Sequence, residues 1–321
     1  MSLTVSVCLG TWNGEAYLRQ LLESLGGQHR LPDELLVGDD ASSDSTVAIL
    51  ERFAIRAPFP VTVLRNAEQA GVEANFENLV RRASGEIIFP CDQDDVWLPE
   101  KVAKMASVIE EDNAVTGLFC NSYLIDGSGR RLPGTLWSMT HSSPEDRSSL
   151  EGGGGLVWLV TRPSVAGHTL AFRASARQLL LPFSRSCHYD MWISRLLAAT
   201  GGLRAIEDTL VEYRLHDANT LGLSAASRSA FAKDSWNAPH RWADEVVATH
   251  ELIGRLHERA PGALRATDEA ALGDRAAHLA RRTQLPTSRL RRLGAVGSEL
   301  LSGRYFRYSN GLRSAGRDLV A

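Results

Sequence analysis

Asp92, Asp94 and Asp95 place three carboxylates within four consecutive residues of the sequence. The apolar run 87–89 before them predicts a buried strand, and Pro99 after them can open a helix as its first residue. The three acids therefore follow the carboxyl end of a predicted strand, where open α/β sheets bind their ligands. Because neighbouring carboxylates repel one another, the segment indicates a bound cation, and oxygen ligands favour Mg²⁺ or Mn²⁺ over zinc.

An acidic segment also has simpler interpretations, which these residues alone leave open. Aspartates are common in turns and at helix caps, where they only accept hydrogen bonds from backbone N–H groups. A calcium-binding EF-hand loop is excluded, because Val96 occupies the position where that loop requires glycine for its sharp turn. The rest of the chain must decide between a metal site and a structural turn.

The composition is that of an ordinary globular protein. Of 321 residues, 44% are hydrophobic and 23% are charged, and the formal net charge is −3. That charge predicts neither nucleic acid nor a membrane as an obligate partner. The C-terminal part is nevertheless basic, with nine arginines from Arg281 onward against only Glu299 and Asp318. Such a tail is typical of a solvated helix face, and it would also suit anionic lipid or an anionic acceptor.

The four cysteines show no CxxC or CxxH spacing, so we expect reduced, mostly buried thiols in a cytoplasmic protein. Residues 1–5 lead directly into a predicted strand, without the basic segment and long apolar run that a signal peptide requires. The sequence contains no run of about 18 apolar residues, the length that a membrane-spanning helix needs.

Strands and helices alternate four times in the N-terminal third of the chain. Apolar runs predict strands at 5–9, 35–38, 61–64 and 87–89. Each strand is followed by apolar residues at helical spacing, at 18–25, 47–54, 76–83 and 102–109. Alternating strands and helices joined by short loops predict a parallel sheet covered by helices, half of a doubly wound domain.

The pattern changes after the fourth helix. Further strands are predicted at 116–120, 167–172 and 211–216, with a helix around residue 193 between the last two. Residues 126–155 are polar and end in four glycines, which predicts a functional lid or a disordered loop. Helices are predicted from 225 to 320, where Ala, Arg and Leu dominate. We therefore expect an α/β domain over 1–220 and a helical region over 221–321.

The turn after the first strand argues against two classes of nucleotide-binding protein. A dinucleotide-dependent oxidoreductase places an acid after its second strand, as Asp39 and Asp40 are placed here, but it also needs G-x-G-x-x-G after the first. Residues 10–14 (GTWNG) lack that spacing, and no Walker P-loop occurs in the sequence. A diphosphate would then need another positive charge, which a divalent cation on the acidic segment supplies.

The chain resembles the family 2 glycosyltransferases of the GT-A fold, in particular their rhamnosyltransferase-like branch. The resemblance extends over most of the sequence, and its motifs occur in the family's order. They are the segments 11–14 (TWNG), 38–46 (GDDASSDST), 71–76 (GVEANF), 92–97 (DQDDVW), 188–192 (HYDMW), 213–216 (YRLH) and 303–311 (GRYFRYSNG).

The resemblance implies a site for a nucleotide-diphospho-sugar. It implies that the nucleotide lies against Thr11, Asn13, Glu15, Asp39, Asp40 and Asp92, with Asp39 or Asp40 accepting a hydrogen bond from the base. A pyrimidine N3–H suits a carboxylate acceptor, which favours UDP or dTDP. Asp94 would bind Mn²⁺ or Mg²⁺, with His216 as a second contact to metal or phosphate. A histidine at the end of a strand is alternatively a structural group.

Direct displacement at an anomeric carbon requires a base for the acceptor hydroxyl, and the resemblance assigns that role to Asp190. The alternative makes Asp190 only the N-cap of the helix that follows it. Sugar or acceptor contacts are expected from Asp95, Trp97, His188 and Trp192, although tryptophans are more often core residues.

We therefore predict an α/β protein with a GT-A fold, a Rossmann-like, mostly parallel sheet with helices on both faces, followed by a C-terminal helical segment. The predicted function is that of an inverting, metal-dependent glycosyltransferase in cell-surface polysaccharide synthesis. Its donor would be a UDP- or dTDP-sugar, such as dTDP-rhamnose, and its acceptor a glycan or a lipid-linked glycan. The predicted location is the cytoplasm, with the basic tail on the inner face of the membrane.

Two alternative functions remain. One is a nucleotide-sugar-binding protein without transferase activity, which would keep the pocket and lack the base. The other is a sugar-phosphate nucleotidyltransferase, although such an enzyme usually has a basic, glycine-rich loop after its first strand, and residues 10–14 contain no basic residue.

Overall fold

One mixed β-sheet organises the structure, a computed structural model that describes residues 2–151, 153–162, 164–216 and 239–320. Within these residues the sheet has nine strands, in the order β3, β2, β1, β4, β8, β6, β9, β5, with β7 beside β6. The strands are β1 Val5–Thr11, β2 Glu34–Asp39, β3 Val61–Arg65, β4 Ile87–Asp92, β5 Val96–Trp97, β6 Gly117–Asp126, β7 Arg131–Thr135, β8 Leu170–Arg173 and β9 Leu203–Leu215.

The first four strands form the parallel half of the sheet that the sequence predicts. β1 pairs in parallel with both β2 and β4, and β2 pairs in parallel with β3. The register places Thr11 opposite Asp39 and Gly10 opposite Asp92. The turn after β1 and the acidic ends of β2 and β4 therefore meet at one edge of the sheet.

The second half of the sheet is mixed. β8 is antiparallel to both β4 and β6, and β5 is antiparallel to β9. β9 is parallel to β6 and much longer than the short strand predicted at 211–216. Among the described residues four strand pairings are parallel and four are antiparallel, so the predicted mostly parallel sheet is in fact mixed. The α/β architecture with helices on both faces is confirmed.

Helices cover both faces of the sheet. Alternation along β1 directs Val7 into one apolar cluster with α1, α2 and α4, and Cys8 into another with α3 and α9. The helices are α1 Leu18–Gly26, α2 Thr46–Ala54, α3 Val72–Arg82, α4 Lys101–Glu111, α5 Leu136–Met139, α6 Pro144–Ser148, α7 Gly155–Thr161, α8 Arg177–Leu180, α9 Tyr189–Ala199, α10 Pro239–Arg259, α11 Ala266–Thr283, α12 Arg289–Leu301, α13 Arg304–Tyr308 and α14 Leu312–Val320. All four cysteines are free and buried, as expected.

Three local predictions were wrong. Pro99 does not open a helix, because α4 begins two residues later, at Lys101. The expected lid or disordered loop at 126–155 contains β7, α5 and α6, the two helices each held by a capping box. The strand predicted at 167–172 is only Leu170–Arg173, since Gly167–Thr169 form a turn of 3-10 helix.

The C-terminal helices share a core with the sheet domain. Leu252 and Leu256 of α10 and Leu272 of α11 belong to the same apolar cluster as α9. A separate, smaller apolar cluster packs α12, α13 and α14 together through Val296, Tyr305 and Ala315. The predicted domain boundary at 220/221 lies outside the described residues. Among the helices described, none is both long and apolar enough to cross a membrane.

Candidate active site

The turn after β1 is locked to the loop after β2 by side-chain to backbone hydrogen bonds. The Asn13 N–H donates to Ser42 Oγ (2.9 Å), and the Ser43 N–H donates back to Asn13 Oδ1 (2.9 Å). Glu15 Oε2 accepts from the Ser45 N–H at 2.9 Å. Asn13 adopts a positive φ of 46°, a conformation that asparagine tolerates better than most residues. Two predicted nucleotide-binding residues therefore lie in one rigid double loop.

Gln93, which the sequence analysis did not single out, ties this turn to the acidic loop. Its Oε1 accepts from the Trp12 N–H (2.9 Å), while its Nε2 donates to the Trp12 carbonyl (3.0 Å). A side chain at Gly14 would place its Cβ 2.2 Å from Gln93 Oε1, so only glycine fits there. The sequence shows Gln93 only as the Q of the segment DQDD, and the fold is needed to show that it binds the Trp12 backbone.

Asp39 and Asp40 are both buried, and each already has local partners. Asp39 accepts from Thr11 Oγ1 (3.1 Å) and from the Ser42 N–H and hydroxyl. Asp40 accepts from Asn66 Nδ2 and from the N–H groups of residues 70 and 71, at 2.7–2.9 Å. Asp40 thus holds the loop before α3 in place, whereas Asp39 faces the turn after β1.

The three acids of residues 92–95 have different environments. The side chains of Asp92 and Asp94 are 36% and 17% exposed, whereas Asp95 is fully buried. Asp94 Oδ2 lies 2.8 Å from Nε2 of His216, whose side chain is 15% exposed. Asp94 and His216, the two predicted metal contacts, therefore lie side by side, and both groups reach solvent together with Asp92.

His168 contacts the acidic group from its buried side, and the sequence analysis missed it. Its Nδ1 lies 3.2 Å from Asp95 Oδ2 and 3.5 Å from Asp92 Oδ2. Its Nε2 lies 3.0 Å from Ser122 Oγ. Burial alone would lower the pKa of His168, but the charges of Asp95 and Asp92 outweigh burial and raise it. A buried histidine therefore offsets part of the acidic charge.

A buried lysine offsets more of this charge. Lys101 donates from Nζ to the His168 carbonyl (2.7 Å) and lies over the Trp97 ring, 3.2 Å from its centre. Burial lowers the pKa of Lys101 to about 8. Burial likewise raises the pKa of Asp95. Charge in this part of the site is therefore costly and closely balanced.

The ligand atoms fit a divalent cation. Oxygens of Asp92 and Asp95 and a nitrogen of His168 lie within 4.8 Å of one another. Within the part of the chain that the structure describes, one buried carboxylate oxygen in this group, Asp95 Oδ2, lacks a hydrogen-bond partner. Among the described residues of this group, Asp92, Asp94 and His216 have partly exposed side chains, so they are the ligands that a cation shared with a diphosphate would reach.

Asp190 lies in the first turn of α9 and is buried. Its Oδ2 accepts from the Gly167 N–H (3.1 Å) and its Oδ1 from the Met191 N–H (2.7 Å). Burial raises its pKa, although the neighbouring His188 opposes the shift. The N-cap of α9 is His188, so the interpretation of Asp190 as the cap is wrong. A raised pKa and a fixed carboxylate suit a general base.

Tyr189 joins the acidic loop to α9. Its hydroxyl lies 3.4 Å from Asp92 Oδ1, and its ring stacks on Phe76 with centres 4.0 Å apart. A Cβ at Gly167 would lie only 1.8 Å from the Tyr189 hydroxyl, so glycine is required for this approach. Asp190, the next residue, is therefore held close to the acidic loop.

The four residues with expected sugar or acceptor contacts differ in accessibility. Trp97 and Trp192 are buried in the core, and Trp192 Nε1 donates to the Leu180 carbonyl at 2.9 Å. Asp95 is equally buried, so the structure contradicts a sugar contact for these three side chains. His188 is partly exposed, and its Nδ1 lies 3.0 Å from Glu73 Oε1, which raises its pKa.

Comparison with known proteins agrees with the fold and the site. Residues 6–156 match the family model for glycosyl transferase family 2. The chain is 25% identical over 232 residues to an uncharacterised glycosyltransferase of Nostoc, covering 71% of this chain and 69% of that protein. It is 28% identical over 110 residues to the dTDP-rhamnosyl transferase RfbG of Shigella flexneri, covering 33% of this chain and 38% of that relative.

The fold is similar to that of a solved glycosyltransferase structure. The crystal structure of S. aureus TarS residues 1–349 with UDP-GlcNAc superimposes with a TM-score of 0.58 at 17% identity. The match covers 93% of this chain and 81% of that one. The family match over residues 6–156, these relatives and the GT-A fold together support a family 2 glycosyltransferase domain in this chain.

Proposed function

We propose that this chain is an inverting, metal-dependent glycosyltransferase that uses a UDP- or dTDP-sugar and acts in cell-surface polysaccharide synthesis. The observation that carries the proposal is the meeting of an accessible acidic group, Asp92, Asp94 and His216, with a buried carboxylate, Asp190. The first supplies partly exposed oxygen and nitrogen atoms that would hold a cation against a diphosphate. The second offers a base with a raised pKa.

In this proposal the donor nucleotide lies along the double loop formed by the β1 and β2 turns. Thr11, Asn13 and Glu15 border the nucleoside, and Asp92 faces the ribose. Asp39 is the stronger candidate for the base contact, because Asp40 is occupied by the loop before α3. Asp39 is fully buried and already accepts three hydrogen bonds, so a fourth, from a pyrimidine N3–H, would require the turn after β1 to move aside. UDP-GlcNAc bound to TarS and the dTDP-rhamnosyl activity named for RfbG support pyrimidine donors.

Mn²⁺ or Mg²⁺ would be held by Asp94 and His216, with Asp92 beside them. Carboxylate oxygens suit both ions, and the imidazole nitrogen favours Mn²⁺. When bound, the cation would stabilise negative charge on the departing nucleoside diphosphate. The protein supplies no glycine-rich phosphate cradle after β1, which is why a cation is required.

Asp190 would act on the acceptor. It would take the proton of the acceptor hydroxyl while that oxygen bonds to the anomeric carbon and the bond to the diphosphate oxygen breaks, inverting the configuration. The Gly167 N–H and the Met191 N–H orient the carboxylate, and Tyr189 ties its segment to Asp92. A fixed orientation is needed because displacement requires the acceptor oxygen close to the anomeric carbon.

We also propose that the C-terminal helices rest on the inner face of the membrane, where a lipid-linked acceptor would lie. Leu290, Leu301 and Leu312 are largely exposed on α12 and α14. The arginines of the same region would contact anionic headgroups. Exposed leucines beside arginines are typical of helices that lie in a membrane interface.

The donor site is tested by thermal unfolding with UDP, dTDP, GDP and ADP, each with Mn²⁺, Mg²⁺ or a chelator. A ligand at about 100 times its dissociation constant adds about 2.7 kcal/mol, which corresponds to a shift of a few degrees. We expect one pyrimidine diphosphate to stabilise the protein only with the cation present. Asp94→Asn should lose most of this shift, whereas Asp208→Asn, a surface acid paired with Lys104, should retain it.

Stabilisation that survives the chelator, or that is unchanged in Asp94→Asn, would remove the metal from the proposal. Transfer of sugar to water or to an acceptor separates an enzyme from a binding protein that only retains the pocket. Release of pyrophosphate from a nucleoside triphosphate and a sugar phosphate would instead identify a nucleotidyltransferase.

A further inference from the structure

A large cavity lies beside the amino end of α9, apart from the acidic loop. Its volume is about 770 Å³, and its wall includes His188 and Met191 of the α9 segment. The C-terminal helices α10, α11 and α13 supply other parts of the wall, among them Trp242 and Tyr308. The cavity is therefore built jointly by the sheet domain and the C-terminal helical region.

The cavity wall is positively charged. Six arginines and three acids line it, so it has a surplus of three positive charges when histidines are neutral. Arg162, Arg185 and Arg307 each have more than half of the side chain exposed, and their ion-pair distances to acids are 3.8, 3.1 and 3.6 Å. The contacts of Arg162 and Arg307 are longer than a good charge-assisted hydrogen bond, so the guanidinium groups of these two residues retain capacity for a ligand.

A second observation independently points to an anion. Arg195 and Arg275 are buried at the cavity wall and share a single carboxylate, Glu245, at 3.1 and 2.9 Å. The Nε atoms of both arginines are buried without a hydrogen-bond partner. Burial would raise the pKa of Glu245, but the two guanidinium charges outweigh burial and lower it. The cluster is thus a buried carboxylate with two buried cations, and buried charge is normally matched by opposite charge.

The cavity and the proposed catalytic base are adjacent in the chain. His188 and Met191 line the cavity, and Asp190 lies between them in the sequence. On the other side of the same turn, Tyr189 contacts Asp92 of the acidic loop. Asp190 itself is buried and does not line the cavity, so a hydroxyl of a molecule in the cavity would reach it past His188 and Met191.

We propose that this cavity binds an acceptor saccharide that carries phosphate or carboxylate groups, and that Arg185, Arg162 and Arg307 recognise those groups. The role of this ligand as an acceptor rests on the proposed transferase function, whereas its negative charge is inferred only from the residues that line the cavity. Donor and acceptor would then be recognised by opposite means, the donor diphosphate through a cation on acidic ligands and the acceptor anion through arginines.

The chain contains a matched pair of arginines for the test. Arg185 and Arg81 both bind the carboxylate of Glu77, at 3.1 and 2.8 Å, and their side chains are 58% and 57% exposed. Arg185 lines the cavity and Arg81 is not among its lining residues. Arg185→Gln and Arg81→Gln therefore remove the same kind of surface pair, and only the first changes the cavity.

The experiment is calorimetric titration of the protein, with UDP and Mn²⁺ present, by three probes of equal length. They are a glycerol phosphate pentamer, a pentamer of galacturonic acid and neutral maltopentaose. We expect one anionic pentamer to bind at least about tenfold more tightly than maltopentaose at about 50 mM salt, where surface charges are weakly screened. Which of the two binds identifies phosphate or carboxylate as the recognised group.

Arg185→Gln should weaken the binding of that pentamer about tenfold, the effect of one hydrogen bond between charged groups. Arg81→Gln should leave it within about twofold, and equal melting temperatures of the two variants establish equal folding. Arg162→Gln provides a second cavity variant. Equal binding of all three pentamers, no binding of either anionic one, or equal loss in Arg185→Gln and Arg81→Gln would overturn the inference.

The same titrations separate this inference from the proposed function. If an anionic pentamer binds through Arg185 but no nucleoside diphosphate stabilises the protein, the transferase proposal fails and the anion site stands. If UDP or dTDP binds with the cation while the pentamers do not discriminate, the transferase proposal stands and the anionic acceptor is excluded.

Discussion

Two charged regions of opposite sign meet at the amino end of α9. The acidic loop holds Asp92, Asp94 and Asp95, offset in part by the buried His168 and Lys101. The cavity holds an excess of arginines, offset in part by Glu245. In the cavity the chain supplies three acids against six arginines.

The difference between the two regions lies in what must complete them. An acidic site can bind a negatively charged diphosphate only through a cation, so it depends on an added metal. An arginine-lined site binds an anion directly, because guanidinium groups are always charged and match carboxylate and phosphate geometry. We infer that one reaction centre uses a cation for the donor and arginines for the acceptor. Each proposed substrate then has its own binding site beside the reacting atoms.

The largest expected effect concerns the residue between the two regions. Asp190→Asn removes the proposed base while keeping the size of the side chain, and its one amide oxygen can still accept from either the Gly167 or the Met191 N–H, although not from both. We expect transfer to fall about 10³-fold, within the range that general base catalysis contributes. Binding of nucleoside diphosphate should stay within about twofold, measured by calorimetry with Mn²⁺. An unchanged transfer rate would place the base elsewhere.

The next effect tests whether the arginine cluster depends on its one acid. Glu245→Gln leaves Arg195 and Arg275 buried without a carboxylate, and breaking a buried pair in this way costs about 3 kcal/mol or more. Denaturant unfolding measures that loss. Asp208→Asn is the control, because its pair with Lys104 is on the surface, where solvent screens the charges and we expect a much smaller loss. A loss no larger than the control would show that the cluster is not strongly coupled.

The smallest effect is a shift in the pH dependence of transfer. Asp190 must be deprotonated to act as a base, so activity is lost as pH falls through its pKa, which burial raises above the usual aspartate value. The positive charge of His188 opposes that shift. His188→Gln should therefore move the acidic limb of the kcat/KM profile to higher pH. A limb that stays in place would mean that another group controls it.

Much of the sheet domain could be predicted because its signals are local. Apolar runs and residues at helical spacing located β1–β4 and α1–α4 within a few residues. The region after residue 126 was harder. Its short helices α5 and α6 depend on capping boxes at Thr135 and Ser143 rather than on apolar periodicity. The 3-10 turn at Gly167–Thr169 was not predicted either. Glycine at position 167 is needed because the Tyr189 hydroxyl packs against it, and Tyr189 is far along the chain.

The site was predictable where residues of one motif act together. The DQDD segment, Asp39 and Asp190 could be found from their order and their place after strands or before a helix. His168 and Lys101 could not, because a lone histidine and a lone lysine have no sequence signal for burial against Asp95. Trp97 and Trp192 showed the opposite error, since an aromatic residue near a motif gives no information on whether its ring faces a ligand or the core.

The sequence by itself determined the order of the first strands and helices, the acidic ends of β2 and β4 and the resemblance to a family, because periodicity and motif spacing are properties of the chain alone. Only the tertiary structure decided which acids are accessible, since burial of Asp95 and exposure of Asp92 and Asp94 depend on β8 and β9. It also decided the arginine cavity. Arg162, Arg185 and Arg307 lie far apart in sequence and gather only where the C-terminal helices pack against α9.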